Sequence, residues 1–340
     1  MTCTVIVGGF FGDEGKGKIV SYLAIKDNPK ITVRGGVGPN AGHTVVFRQR
    51  ESKLRMLPSA VINEKTKLMI GPGVLVDPNV FLKEVEEFNA LHRVTLDKQC
   101  GIIEEKHIEK DRLDAYLKGK IGTTGTGCGP ANVERIMRTA KMAKDVPLLL
   151  RYLGDVPFLV NEAISMGEVV HVEGTQGTYI SLYHGTYPFV TTKDVTASAI
   201  CSDVGIGPKV VDEVILVFKS YVTRVGAGEL PGELTEQEAE RRGWLERATV
   251  TGRTRRSAPF NYELARRAVM LNSATQIAVT KFDILFPETK NLRDFSKLSK
   301  DAKKMIDTIE AQTKAPVSII STGPDVEATI DRRGELGLLK

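Results

Sequence analysis

The segment Gly8-Gly9-Phe10-Phe11-Gly12-Asp13-Glu14-Gly15-Lys16-Gly17-Lys18 holds glycines, two carboxylates and two lysines within a single short stretch. Glycines let successive backbone N–H groups converge on an anion, and a helix that follows adds a partial positive charge at its N-terminus. Lys16 supplies a point charge to the same phosphates. The usual phosphate loop reads GxxxxGK followed by Ser or Thr, and this one departs twice. Five residues separate Gly9 from Gly15, and Gly17 stands where a hydroxyl would hold Mg²⁺. Asp13, a hard oxygen ligand inside the loop, is then the candidate for the metal. A second loop, Arg34 to Thr44, carries Gly35, Gly36, Gly38, Asn40, Gly42 and His43. A histidine in such a loop is a candidate for proton chemistry. His92, His107 and His171 sit in plainer helix or strand surroundings and are read as structural.

A third piece is Thr280-Lys281-Phe282-Asp283. The Asp283 carboxylate can accept from both N1–H and the 2-amino group of guanine, a donor pair that adenine lacks. Lys281 can lie over the base or bind loop carbonyls, and Ser321-Thr322-Gly323-Pro324 can close its other side. Phosphate loop and base reader together favour GTP over ATP.

These loops need a scaffold, and short apolar runs provide it: Thr4–Val7, Ile31–Val33, Lys67–Ile70, Glu168–Val172, Glu213–Phe218, Gln276–Val279 and Val317–Ile320. Continuous β-branched runs bounded by glycine predict strands buried on both faces of a mostly parallel sheet. Between them, Asp77-Pro78 predicts a capped helix carrying Val80, Phe81, Val85 and Phe88; helical stripes recur over Asn261–Leu271 and Ser299–Ile309, and a helix is expected from about Ile19. The expectation is an α/β fold: a large, mostly parallel central sheet flanked by helices, a P-loop-NTPase-like nucleotide site and long glycine-rich active-site loops. With no repeat or Pro/Ser-rich linker, residues 1–340 read as one domain.

Composition narrows the classes. The net charge of +5 suits a small polyanion, and no recognised nucleic-acid module is visible. Cys3, Cys100, Cys128 and Cys201 have no CxxC spacing, which argues against a zinc site or disulfide framework and for a reducing compartment. No apolar stretch reaches membrane-spanning length, and the N-terminus lacks a basic signal-peptide region, so a cytoplasmic protein without membrane partners is expected.

Taken in order, the loops resemble the adenylosuccinate synthetase family. The matching pieces are Gly12 to Lys18, Asn40-Ala-Gly-His-Thr44, Ile121 to Pro130, Glu173-Gly-Thr-Gln-Gly177, His184 to Thr191, Thr223 to Gly226, Thr251-Gly-Arg253 with Arg255-Arg256, and Thr280 to Asp283. The resemblance implies joining of IMP to L-aspartate at the expense of GTP through 6-phosphoryl-IMP. It implies that Asp13 takes the N1 proton of IMP and, with the Gly42 carbonyl, ligates one Mg²⁺ per subunit, while His43 acts as general acid toward the phosphates, with Lys16 and Gln176 also catalytic. For GTP it implies Gly12, Gly15, Lys16, Gly17, Lys18, Gly42, His43, Thr44, Arg255, Lys281, Phe282, Asp283, Ser321, Thr322 and Gly323. For IMP it implies Asp13, Glu14, Gly15, Lys16, Asn40, Ala41, Gly42, His43, Thr124, Gln176, Thr191 and Arg253, with Arg138 reaching the neighbouring site of a homodimer. For aspartate it implies Val250, Thr251, Gly252, Arg253, Thr254 and Arg255.

The departures are Thr126 for a usual arginine, Tyr183 for a usual aspartate, Lys193-Asp194-Val195 for a Ser-Asn-Thr run, Val250 for threonine and Val326 for arginine. The chain is also short for the family, with material missing after Arg138 and after Glu233. A GTP-hydrolysing switch module would leave His43, Gln176 and the arginine loop without a role, and a nucleotide kinase would leave the aspartate arginines idle. Arg241–Arg247 reads as a solvated basic face.

Overall fold

A computed structural model describes residues 2–247 and 252–339. In chain order the elements are β1 (Cys3–Gly8), α1 (Lys16–Asp27), β2 (Ile31–Arg34), β3 (His43–Phe47), β4 (Arg50–Leu54), β5 (Lys67–Ile70), β6 (Leu75–Val76), α2 (Pro78–Glu87), β7 (Val94–Asp97) and β8 (Gly101–Ile102). Next come α3 (Glu105–Leu113), α4 (Cys128–Met137), β9 (Leu153–Gly154), α5 (Val156–Ser165), β10 (Val170–Glu173), α6 (Ala197–Val204), β11 (Glu213–Lys219), β12 (Tyr221–Arg224) and α7 (Glu236–Arg241). The last are β13 (Glu246–Arg247), β14 (Thr254–Pro259), α8 (Tyr262–Asn272), β15 (Gln276–Thr280), α9 (Phe282–Leu285), α10 (Lys300–Thr313), β16 (Val317–Ser321) and β17 (Thr329–Asp331).

Among the described residues the main sheet has ten strands in the order β17-β16-β15-β11-β1-β10-β2-β5-β7-β9. All pairings are parallel except β16 with β17, an antiparallel edge. Alternation with period two divides the core. Val5, Val7, Val33, Val172, Leu216 and Phe218 pack into one cluster with α5, α6, α8 and α10. Ile6, Leu68, Ile70, Ile215 and Val217 pack into the other with α1 and α2. Both faces are covered, which is why the strands read as unbroken apolar runs.

All seven expected strands form, most extended by a residue or two. The Glu168–Val172 run shifts to Val170–Glu173, so the strand includes Glu173. Asp77 caps α2 through the Asn79 and Val80 amides, Asn261 caps α8 through Leu264, and Ser299 caps α10 through Ala302. Helix α1 begins at Lys16, three residues before the expected Ile19. Its N-cap is Gly15, left-handed at φ 84°, with no side chain on the first amides. That leaves the N–H groups of its first turn to an anion. His43 and Thr44 open strand β3 rather than ending a loop. His92 lies in an exposed turn before β7.

Candidate active site

The C-terminal ends of β1, β2, β10, β11, β15 and β16 point to one side of the sheet, where ligands bind in open α/β folds. There they border a cavity of about 790 Å³. The loop after β1 is packed against its surroundings. A Cβ on Gly8 would meet the Gln176 carbonyl at 2.4 Å, and one on Gly9 would meet the Phe218 ring at 2.1 Å. Inside the loop the buried Glu14 carboxylate accepts from the amides of Phe10 (3.0 Å) and Gly12 (2.8 Å) and pairs with Lys16 Nζ at 2.7 Å. Lys16 also donates to the Gln176 carbonyl, so two of its three protons are fixed by protein and its charge lies on the cavity wall. Glu14 therefore shapes the loop and does not face the cavity.

Asp13, at φ 61°, projects its half-buried carboxylate into the cavity, with Gly42 also on the wall. Arg255 Nε lies 3.0 Å from Asp13 Oδ2 at ion-pair distance, although without hydrogen-bond alignment. His43 is buried, and its Nδ1 pairs with Glu173 Oε1 and lies 3.3 Å from Ser59 Oγ. Ser59 N and Oγ donate to the same carboxylate, each at 2.6 Å. Burial works against ionising Glu173, but His43, Arg34 and Ser59 together hold it below the usual carboxylate range. Burial pulls the His43 imidazolium down, against the opposing pull of Glu173. With Nδ1–H on Glu173, Nε2 is the nitrogen left for the cavity.

Gln176, also left-handed (φ 55°), accepts from Thr175 Oγ1 on its amide oxygen, which leaves the amide NH₂ as donor. Asn40 Nδ2 reaches Thr191 Oγ1 at 3.4 Å, and its buried Oδ1 has no partner among the described residues. Lys281, Asp283, Ser321 and Gly323 form the far wall. Lys18 braces that wall, donating to Ser321 Oγ (2.6 Å) and to the carbonyls of Gly323 and Ala328. Burial pushes its ammonium down to about 7, against the carboxylates of Asp283 and Asp325. Those acceptors occupy its donors, so Lys18 borders the cavity as a brace of the Ser321–Gly323 turn.

Of the expected site residues, Gly12, Asp13, Gly15, Lys16, Gly17, Lys18, Asn40, Ala41, Gly42, His43, Thr44, Thr124, Gln176, Thr191, Arg253, Arg255, Lys281, Asp283, Ser321 and Gly323 come together around the cavity. Phe282 is buried against Phe286, and Thr322 is turned inward to the Leu292 carbonyl. Arg138 caps α4 on the surface, away from this cavity. Gly252 and Thr254 are exposed outside it, and Val250 and Thr251 lie outside the described residues. Arg253 reaches the Gly122 carbonyl at 2.7 Å. Several cavity residues escaped the sequence reading, among them the charged Asp111, Lys219, Glu246 and Lys290. Lys219 carried a signal, a charge closing the apolar run of β11 at the end where ligands bind. Glu246 carried none.

Away from the cavity, Glu104, His107 and Glu134 come within metal-binding distance of one another. His107 Nδ1 accepts from the Glu104 amide at 2.9 Å, which puts its proton on Nε2, 3.0 Å from Glu134. Lys106 Nζ sits 3.0 Å from Glu134 and 3.2 Å from Glu104. The cluster is thus supplied with positive charge by its own side chains.

The departures have local accounts. Thr126 bonds Thr124 at 2.9 Å, and Tyr183 is exposed. Lys193 pairs with Asp203 and donates to the Gly73 carbonyl at 2.6 Å, while Asp203 accepts from Gly36 N at 2.8 Å. The basic residue thus ties down the loop after β2. Val326 is buried, and its amide donates to the Val46 carbonyl at 2.8 Å. Arg241 and Arg242 pair with Glu238 on exposed α7.

A parallel α/β sheet with a glycine loop, a helix N-terminus and a lysine at the C-terminal ends of its strands, facing the Asp283 carboxylate across a cavity, defines a nucleotide-dependent phosphoryl-transfer protein. A family model described as adenylosuccinate synthetase matches residues 5–148 and 140–289. Curated adenylosuccinate synthetases of Methanocaldococcus jannaschii and Archaeoglobus fulgidus are 56% and 54% identical; the alignments cover 99% and 98% of this chain and 98% and 99% of those proteins. The short length is therefore shared with these relatives. The fully ligated adenylosuccinate synthetase of Plasmodium falciparum superposes with a TM-score of 0.87 at 25% identity, covering 96% of this chain and 99% of that one. The succinoaminodeoxyadenylate synthetase of cyanophage S-2L shares the fold, with a TM-score of 0.80 at 24% identity, covering 99% and 98%. This chain belongs to the adenylosuccinate synthetase family, ligases that join IMP to aspartate using GTP in AMP synthesis.

Proposed function

We propose that residues 1–340 form one adenylosuccinate synthetase domain that makes adenylosuccinate, GDP and phosphate from IMP, L-aspartate and GTP, with 6-phosphoryl-IMP as intermediate. The observation that carries this is the single cavity shared by Asp13, Lys16, His43, Gln176, Arg255 and Asp283. Asp13 takes the N1 proton of IMP, which turns O6 into a nucleophile. O6 attacks the γ-phosphorus; the new O6–P bond forms as the bond to the β,γ-bridging oxygen breaks and GDP leaves. A 6-oxo group is a poor leaving group and its phosphate ester a good one. The aspartate amine then attacks C6, the C6–O bond breaks, and phosphate departs as the amine loses a proton. Lys16 and the first turn of α1 face the charge on the equatorial oxygens, and the work is mainly positioning and electrostatics. The Gln176 amide donates toward the developing O6 charge. His43 meets the phosphates through Nε2; their negative charge favours the imidazolium that burial otherwise opposes, and Glu173 fixes its tautomer.

Asp13 and the Gly42 carbonyl offer hard oxygen ligands on the wall, the donor chemistry that Mg²⁺ takes. Bound there, the ion supplies positive charge to the triphosphate. Arg253 and Arg255 meet the two carboxylates of aspartate, which guanidinium groups bind in two-pronged fashion, with Val250 and Thr251 as further partners in that loop. Asp283 reads guanine.

The active form is a homodimer in which Arg138 reaches the partner's IMP phosphate. Supporting this, Val133, Ile136 and Met137 beside Arg138 on α4 are exposed apolar side chains. Arg138→Leu is expected to raise the KM for IMP by ~10-fold or more, the scale of losing a charge-assisted phosphate contact, with the melting temperature unchanged. Unaltered IMP kinetics would remove the shared site. The four cysteines are buried free thiols, in keeping with a reducing compartment such as the cytoplasm.

The deciding experiment follows conversion of IMP while GTP, aspartate or Mg²⁺ is omitted in turn. Product is expected only in the complete mixture. GTP hydrolysis without IMP and aspartate would point to the switch reading. In the same assay Asp13→Asn is expected to lose ~1,000-fold or more in turnover while still binding GTP. Retained turnover would exclude Asp13 as the base.

A further inference from the structure

Glu246 has no substrate role in the scheme above, yet it lies on the cavity wall at the centre of an ionic chain. It stands directly across from Arg255 in the antiparallel pairing of β13 with β14. On the open side, Glu246 Oε2 pairs with Arg255 Nη1. On the inner side it pairs with Lys219 Nζ at 3.1 Å, and it accepts the Tyr221 hydroxyl. Both supports are themselves fixed. Lys219, buried at the end of β11, also donates to Thr223 Oγ1 at 2.8 Å, and the Tyr221 ring stacks on Trp244 with centroids 4.7 Å apart and planes at 7°. The carboxylate is gripped from the sheet and aimed at one end of a guanidinium. The other edge of that guanidinium, Arg255 Nε, is buried, has no hydrogen-bond partner among the described residues and faces Asp13.

We infer that Glu246 is a positioning residue for the aspartate step: it locks Arg255 by its Nη1 edge so that the rest of the guanidinium stays presented to the substrate carboxylate. Arginine has several rotatable bonds, and a free one loses much of its freedom whenever it grips a ligand. A fixed carboxylate across the strand pair removes that cost before aspartate arrives. The same contact keeps Arg255 from folding fully onto Asp13, whose carboxylate must reach IMP. Lys219 supplies the charge that lets Glu246 stay ionised there without Arg255 as its sole partner. This rests on the reading of Arg255 as a substrate contact.

The test uses the full chain with GTP, IMP, aspartate and Mg²⁺. Glu246→Gln keeps the shape and removes the charge. It is expected to lower kcat/KM for aspartate by ~10- to 100-fold, the scale of a misplaced catalytic contact, with KM for IMP within about twofold of the parent. Because two buried cations then lack their partner, Lys219→Met with Glu246→Gln is made as well. That variant leaves one fewer cation unpaired and is expected to melt closer to the parent while keeping the aspartate defect. Arg255→Ala alone is expected to cost at least as much, and adding Glu246→Gln to it nothing further, since the two act through one group. Glu246→Asp is expected to recover part of the loss.

An aspartate kcat/KM within twofold of the parent in Glu246→Gln, equal losses for IMP and aspartate, or losses that multiply in the double variant would each overturn the inference. An Arg255→Ala enzyme with normal aspartate kinetics would overturn it too, together with the role of Arg255. Failure of the parent chain to form product would instead strike the functional reading itself.

Discussion

On the β1 side of the cavity the phosphate loop is held by backbone and close packing. Gly8, Gly9 and Gly17 leave no room for a side chain, Glu14 is clasped by amides of its own loop, and Gly15 sets the start of α1. Across the cavity, at the end of β11 and on β13 and β14, position is held by charge. Lys219, Glu246, Arg255 and Asp13 form a chain of alternating sign, and Arg253 reaches for carbonyls of another loop. The difference matches the ligands. A triphosphate is bound by many weak donors whose geometry must exist beforehand, which backbone supplies. A small dicarboxylate is bound by two strong, directional partners, which arginines supply once something orients them.

The sharpest way to break the comparison is on the backbone side. Gly9→Ala drives a Cβ into the Phe218 ring, which is itself packed on Phe10 at 4.6 Å and on Phe260 at 5.8 Å. Neither wall can yield cheaply, so the loop must shift. A cost of ~1–3 kcal/mol in stability is expected, with GTP binding weakened by ~100-fold or more because the amides lose their convergence. Thermal unfolding and GTP titration read the two effects separately. Normal GTP affinity would mean that the loop adapts, and the contrast between the two walls would collapse.

The sequence showed the first wall more clearly than the second for a physical reason. A backbone-made site leaves a mark at each position, because glycine is the residue that fits: the run from Gly8 to Gly17 marks it, and the strand before it is an unbroken apolar run. A charge-made site leaves its marks far apart. Lys219 and Glu246 are 27 positions from each other, and nothing along the chain says that an antiparallel pairing brings Glu246 beside Arg255. Even on the first wall, orientation was hidden. Glu14 and Lys18 both sit in the motif, yet one turns into the loop and the other braces the Ser321 turn. Edge elements were also illegible. Leu153–Gly154 is too short to show a period, and the His43–Phe47 and Arg50–Leu54 hairpin turns through Arg48 and Gln49, both at positive φ without glycine or asparagine.

Between the two walls stands the pair of His43 and Glu173, a charge contact mounted on strands. Glu173→Gln keeps the shape but leaves one acceptor oxygen where the carboxylate offered two to Ser59 N, Ser59 Oγ and His43, and takes away the anion that orients Nδ1–H and supports the imidazolium. Turnover is expected to fall by ~100-fold or more with little change in KM for IMP. Steady-state kinetics at saturating GTP check this. An unchanged kcat would assign the pair to structure alone and place catalysis wholly on the other groups.

The smallest effect concerns α1, whose two ends repeat the contrast in one element. Its first turn is bare amide; its last residue, Asp27, is clamped by Arg333 at 2.8 and 2.9 Å and faces His171 Nε2 at 3.5 Å. Burial opposes ionisation of Asp27, but His171 and Arg333 outweigh it and bring the carboxyl from 3.8 down to about 2. A carboxylate whose folded value lies below its unfolded value adds stability that is complete above the unfolded value and is lost as pH falls through the folded one. Asp27 is thus worth about 2 kcal/mol at neutral pH, disappearing toward pH 2. Urea unfolding of Asp27→Asn is expected to give that deficit at pH 7 and a flatter stability profile between pH 4 and 2. A variant with the parent's full acid slope would show that the clamp does not couple to folding, and that α1 is held by its packing and its glycine-capped end.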